Sequence, residues 1–355
     1  MVPSPAFSTR VIAWQRKHGR HDLPWQNTRD AYRIWVSEIM LQQTQVAAVI
    51  GYYARFMQRF PDVAALAAAS QDEVMRYWAG LGYYSRARNL HGAARIVAEQ
   101  WRGVMPANAE QLTTLPGIGR STAAAIAVFA HGARAAILDG NVKRVMARHF
   151  GVAGYPGEKR IEEALWERVS ALLPKAGIEA YTQGLMDLGA TLCSRARPAC
   201  AVCPLKATCV AHREGRTAEL PARKPKQALP HRHCVMLVLR RGCEVLLEKR
   251  PSSGIWGGLW CLPQFDNEAK ARCRSDAAGG DWRRRHALEP IAHGFTHYKL
   301  TIHPIALKVP AAKSGAARDA GSQPEDQGRL WLDLEEVAHA ALPAPVKKLL
   351  LGLDG

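Results

Sequence analysis

Two carboxylates in the 355-residue chain are set apart by their neighbours. Glu38 sits among Ile34, Trp35, Ile39, Met40 and Leu41. If it faces inward it is desolvated, and desolvation raises a carboxyl pKa toward neutrality. Asp139 precedes Gly140-Asn141-Val142-Lys143-Arg144, where a helix is expected to begin near Asn141. Asp caps helix starts well, and the positive end of the helix favours its ionised form, with the side chain exposed at an end rather than packed. A neutral acid can deliver a proton to a leaving group, while a charged carboxylate can face a developing cation.

A second constellation is Cys193, Cys200, Cys203 and Cys209, a C-x6-C-x2-C-x5-C spacing. Four thiolates in so short a loop enclose one soft-metal centre, either a [4Fe–4S] cluster or Zn²⁺. Zinc sites usually come as two tight pairs, and here only Cys200 and Cys203 are tightly spaced, which favours the cluster. Arg195, Arg197, Lys206 and Arg213 make the loop cationic, suited to holding phosphates rather than to redox turnover. Cys234, Cys243, Cys261 and Cys273 show no ligand spacing. A third signal is Leu115-Pro116-Gly117-Ile118-Gly119 between two helical stretches. Two glycines flanking one apolar residue form a tight turn whose N–H groups can meet a phosphate at a helix start.

Apolar residues recur at three- and four-residue spacing from Phe7 to about Cys209, so these groups are expected on helices, including one over 121–130. From His212 to Arg232 the chain turns polar, basic and proline-containing, which reads as a linker. Beyond it, residues 235–239 and 244–248 around Gly242 read as a β-hairpin, with strands at 301–309 and 330–332 and a closing helix at 346–353. The polar stretches 267–285 and 311–327 read as loops. Lys and Arg number 48 against 31 Asp and Glu, a formal charge of +17, which points to a polyanionic partner such as nucleic acid. The first residues lack a signal-peptide core, and no stretch approaches the roughly 18 apolar residues of a membrane span. A cytosolic protein with reduced thiols is therefore expected.

The order of helices, the 115–119 hairpin, residues 138–144 and the cysteine loop resembles the helix-hairpin-helix DNA glycosylases that carry an iron–sulfur cluster. Leu23-Pro24-Trp25, residues 36–44 and Gly80-Leu81-Gly82-Tyr83-Tyr84-Ser85-Arg86 are similar to the MutY branch of adenine glycosylases. The likeness covers nearly the whole chain. It implies a multidomain fold, with a mostly α helix-hairpin-helix domain over 1–211, a [4Fe–4S] loop at 193–209, a linker over 212–232 and an α/β Nudix-like domain over 233–355. It implies one [4Fe–4S] cluster on the four cysteines, and a monomer acting on double-stranded DNA that contains adenine opposite 8-oxoguanine or guanine.

The resemblance also implies roles. Glu38 would protonate adenine and later handle water, and Asp139 would stabilise the sugar cation or bond to it transiently. The base must leave the stack; Trp25 would stack on it and Gln183 would read its edge. Gln43 and Tyr83 would fill the gap beside 8-oxoguanine, with Thr44 and Leu81 alongside. Gly117, Gly119, Asn141 and Lys143 would contact the DNA strand. Ser121 stands where the related endonuclease III branch has a lysine nucleophile, and a hydroxyl cannot form an imine, so a monofunctional enzyme is expected. Phe295-Thr296-His297 matches the family's Phe-Ser-His turn against 8-oxoguanine, and Thr keeps the hydroxyl. The acidic helix of hydrolytic Nudix enzymes is missing, since Glu268 alone follows Gly258, in a loop, before Glu289. Two other readings remain open: a bifunctional oxidised-base glycosylase and lyase, and a non-enzymatic iron–sulfur DNA-binding protein.

Overall fold

A computed structural model of the chain describes residues 4–224, 228–310 and 328–353. The chain groups into two units, 1–69 with 89–226, and 70–88 with 227–355. Helices α1 (Ser4–His18), α2 (Ala31–Leu41), α3 (Val46–Arg59) and α4 (Val63–Ala68) begin the chain. They are followed by α5 (Gln71–Trp78), α6 (Ser85–Gln100), α7 (Ala109–Thr113) and α8 (Arg120–His131). Then come α9 (Gly140–Phe150), α10 (Lys159–Ala171), α11 (Ile178–Asp187) and α12 (Val210–Arg213). No helix among the described residues is long and apolar enough to cross a membrane.

The helical unit forms around α8, α9 and α11, whose apolar faces bury Ala124, Val128, Val142, Val145, Met146, Tyr181 and Leu185. Helix α1 packs on α11, and α2 on α8. Two of the helix starts that matter here have a local cause. Asp30 caps α2 by accepting from the Tyr32 and Arg33 N–H groups, and Asp139 caps α9 by accepting from Val142 N–H at 2.7 Å. Gly132 and Gly151 end α8 and α9 in left-handed backbone. The first half of the basic stretch packs on this unit: Leu220 is buried, and Ala222 N–H donates to Gly154 O at 3.2 Å.

The second unit is built on a mixed sheet. Its strands are β1 (His231–Arg241), β2 (Glu244–Lys249), β3 (Trp260–Cys261), β4 (Gln264–Phe265), β5 (His286–Ala287), β6 (Ile291–Gly294), β7 (Lys299–Lys308) and β8 (Arg329–Asp333). The central path runs β3-β2-β1-β7-β5. The expected hairpin is present, with Arg240 opposite Val245, while β1 and β7 run parallel with His233 opposite Thr301. Helix α13 (Glu268–Ala277) lies against β1 through Ala271, and α14 (Ala344–Leu351) closes the chain. The loop expected over 267–285 is thus in part a helix, and Glu268 begins it rather than lying in a loop. Asn267 accepts from Lys270 N–H to cap it, and only Ala271 and Ser275 of the helix are buried, too few for an apolar stripe. The loop expected over 311–327 lies outside the described residues.

Candidate functional site

Glu38 belongs to α2, a helix buried on most sides by Ile34, Trp35, Val36, Ile39 and Met40. The carboxyl opens into a cavity of about 530 Å³ lined in part by Trp25, Ser37, Phe129 and Gln183. Burial, and after it the charge of Asp139, push the Glu38 carboxyl up to about 8. It therefore carries its proton at neutral pH, as its apolar flanks predict.

Asp139 departs from expectation. The side chain is half-buried, not exposed, and burial raises its pKa rather than leaving it to the helix end alone. N–H groups of Val142 and Asn141 and the cations Arg144 and Lys143 act the other way. None of those groups acts on Glu38, so Asp139 is the member of the pair with groups beside it that favour the charged form. The two environments differ by hydrogen bonding and nearby cations, not by opposite directions of shift. Ser121 Oγ accepts from Leu138 N–H at 2.9 Å, tying α8 to the residue before Asp139.

Trp25 is buried and meets Tyr53 edge-on, with ring centroids 5.4 Å apart. Gln183 donates to Asp187 Oδ1 at 2.9 Å, and Asp187, fully buried, also accepts from the Arg20 guanidinium at 2.6 Å and the Arg20 N–H at 3.0 Å. This fixes one face of the cavity. Sequence reading missed Arg20 and Asp187; the four-residue spacing of Gln183 and Asp187 on one helix face was the available signal for the second.

Gly117 has φ +80° and a Cβ there would lie 2.8 Å from Asn89 Cβ, so the turn calls for glycine at that position. Gly119 precedes α8 with open space around it. Asn141 Oδ1 accepts from Arg144 at 2.8 Å, and Lys143 pairs with Glu162 at 2.8 Å. Gln43 is exposed with φ +60°, and Thr44 beside it is half-buried. In the other unit Tyr83 is 44% exposed with φ +48°, a conformation that L side chains rarely adopt. The two residues expected to project into DNA thus share the same unusual backbone. Leu81, expected alongside, is buried.

The four cysteine thiols lie close enough to feel one another: burial first, and then Cys193, Cys209 and Cys200, push Cys203 up to about 11. Two side chains of α9 clasp the loop. Arg144 donates to the Cys193 carbonyl at 2.7 Å. Arg148, buried, donates to Ser194 O at 2.7 Å, to Leu220 O at 2.8 Å and to Cys193 Sγ at 3.3 Å. Neither arginine was singled out from sequence. Among the described residues no three His, Cys, Asp or Glu side chains converge tightly on a single-ion site. The four thiols are a soft-metal donor set, and a buried guanidinium on one sulfur suits thiolate ligands.

In the second unit Phe295, Thr296 and His297 form the tip between β6 and β7, closed by Phe295 N–H to Tyr298 O at 2.9 Å. Thr296 and His297 are exposed. Phe295 is wedged against Trp256, His293 and Tyr298, at centroid distances of 5.4, 4.6 and 4.8 Å.

Residues 36–171 match the HhH-GPD superfamily of base excision DNA repair proteins, and 234–352 match the NUDIX domain. An adenine DNA glycosylase of Buchnera aphidicola is 35% identical over 97% of this chain and 96% of its own. The human adenine DNA glycosylase is 33% identical over 97% of this chain and 73% of its own. Among solved structures, a thermostable thymine-DNA glycosylase is 30% identical with a TM-score of 0.55, covering 59% of this chain and 97% of its own. An endonuclease III–DNA complex, 20% identical with a TM-score of 0.52, shares the fold over 61% of this chain and 99% of its own.

Proposed function

The chain belongs to the adenine DNA glycosylases of the HhH-GPD superfamily, and from that premise we propose that it removes adenine paired with 8-oxoguanine or guanine in double-stranded DNA and leaves an abasic site. The observation that carries the chemistry is the coupled pair Glu38 and Asp139: burial holds the Glu38 carboxyl at about 8, while Asp139, also raised by burial, has N–H groups and cations beside it that favour its charged form. Adenine enters the 530 Å³ cavity between Trp25 and Gln183. Glu38 gives its proton to the departing base, and Asp139 faces the sugar as positive charge develops there. The Glu38 carboxylate left behind then takes a proton from the water that attacks the sugar.

The enzyme is monofunctional on this reading. Ser121 has no amine to give, and its hydroxyl already accepts from Leu138 N–H. The Lys143 amine is engaged by Glu162 at 2.8 Å. Cys193, Cys200, Cys203 and Cys209 would hold one [4Fe–4S] cluster, which would cross-link and stiffen a loop whose positive charge comes from its own arginines. The 115–119 turn, Asn141 and the cysteine loop grip the strand's phosphates, Gln43 and Tyr83 fill the opened stack, and residues 295–297 contact 8-oxoguanine. The sheet unit reads and does not hydrolyse: helix α13 offers Glu268 and Asp276 but no pair of adjacent glutamates.

Single-turnover excision on duplexes with adenine opposite 8-oxoguanine, guanine or thymine, worked up with and without alkali, tests the whole reading. Base loss fastest opposite 8-oxoguanine, with strand breaks only after alkali, is the expected result. Breaks without alkali would favour a lyase.

A further inference from the structure

Residues 70–88 belong to the helical family match in sequence, yet they pack with the sheet unit. Two contacts fasten them there. Asp72, in the first turn of α5, pairs with Lys249 at the end of β2 at 2.8 Å, and both side chains are about 29% exposed. Arg88, in α6, donates to the carbonyl of Gly257. A Cβ on Gly258 would lie 3.1 Å from Gln71 Nε2 and near Arg88, so that glycine turn closes directly on the same segment.

Between these two anchors stands Tyr83. Helix α5 ends at Trp78, whose indole donates to Gly82 O at 3.1 Å. Arg86 lies between the Trp78 and Tyr83 rings, 5.3 and 5.4 Å from their centroids, and donates to the carbonyls of Leu81 and Gly82. On the other side, Gly257 follows Trp256, which packs on Phe295 of the hairpin tip. A continuous path therefore runs from the 295–297 tip through Trp256, Gly257 and Arg88 to the Tyr83 turn.

We infer that Asp72 and Arg88 are positioning residues that join the Tyr83 wedge to the 295–297 tip, so that contact of the tip with the base opposite adenine sets where the wedge stands. The inference rests on the reading of that tip given above. The coupling makes opposite-base preference a property of the joint, not of the tip alone. Both side chains are spent on Lys249 and Gly257 and lie outside the Glu38–Asp139 pair, so excision opposite guanine is expected to proceed without them.

The experiment uses full-length, cluster-loaded protein in single turnover on adenine opposite 8-oxoguanine and opposite guanine. The signal of 2-aminopurine placed beside the opposite base reports unstacking by the wedge. D72K and R88M should each lower the preference for 8-oxoguanine about tenfold, lower the 2-aminopurine signal and leave excision opposite guanine unchanged. The D72K/K249D swap should restore both readouts, which a merely destabilised variant would not do. Adding R88M to H297A should cost no further preference. If H297A lowers the preference while D72K and R88M leave it and the fluorescence at wild-type values, the coupling is wrong and the reader stands. An H297A variant with unchanged preference would overturn the reader and the coupling together.

Discussion

Glu38 and Asp139 lie among helices that desolvate them, whereas Thr296 and His297 ride exposed on a hairpin tip. On the proposed roles, the difference follows from what each group must do. A proton donor that works at neutral pH needs burial to raise its pKa, and a sugar cation is best met by a charge whose solvation is already replaced by fixed donors. A group that inspects a base must instead stay free until DNA arrives, supported from behind, as Phe295 is by Trp256 and Tyr298. Substitutions in the first region should therefore remove excision whatever base lies opposite. Those in the second should change only which opposite base is preferred.

The widest gap comes from Glu38→Gln, expected to slow single-turnover excision about 10,000-fold on every substrate with little change in duplex affinity. Asp139→Asn keeps a cap acceptor but loses the charge, and a drop of about 100- to 1,000-fold is expected by the same assay. Either variant retaining wild-type excision would break the division of roles. Asp187→Ala removes the buried partner of Arg20 and Gln183, and urea unfolding should show a loss of about 3 kcal/mol. A stability unchanged by that substitution would contradict the buried pair. His297→Ala should lower the preference for 8-oxoguanine about tenfold and spare excision opposite guanine.

The acid's pKa sharpens the same contrast. Glu38 must be protonated to act, so excision should hold up to pH of about 8 and fall above it. Because the folded-state value is raised from 4.5 to about 8, the native state holds a proton that the unfolded chain releases, and stability from this group is lost as pH rises across that window. Glu38→Gln cannot ionise. It should melt a few degrees above the wild type at pH 9, with the gap closing toward pH 5. A gap that widens toward acid would reverse the sign and refute a neutral Glu38.

Much of this was legible in the sequence where the cause is local. The apolar flanks of Glu38, the cap at Asp139, the glycine turn and the cysteine spacing each follow from neighbours within a few positions. The family matches bear out the helix-hairpin-helix and Nudix-like assignments that the family resemblance implied. What escaped depends on residues far apart in the chain. Asp139's desolvation arises from tertiary packing that a cap signal does not register. Arg20 finds its partner 167 positions away, and Arg148 reaches Leu220 across 72. Helix α13 was hidden by the opposite problem, a local pattern nearly without apolar residues. Residues 70–88 carry α5, the Tyr83 turn and the start of α6, but nothing in their composition says which unit they pack with.

The arginine clasp ties the cysteine loop to the interior. Arg144 and Arg148 extend from a helix whose Val142, Val145 and Met146 already sit in the helical core, and they hold the cysteine loop by its main-chain carbonyls. The spacing of the thiols thus depends on two side chains that are not themselves sulfur donors, and the loop can be loosened by a substitution that leaves every cysteine in place.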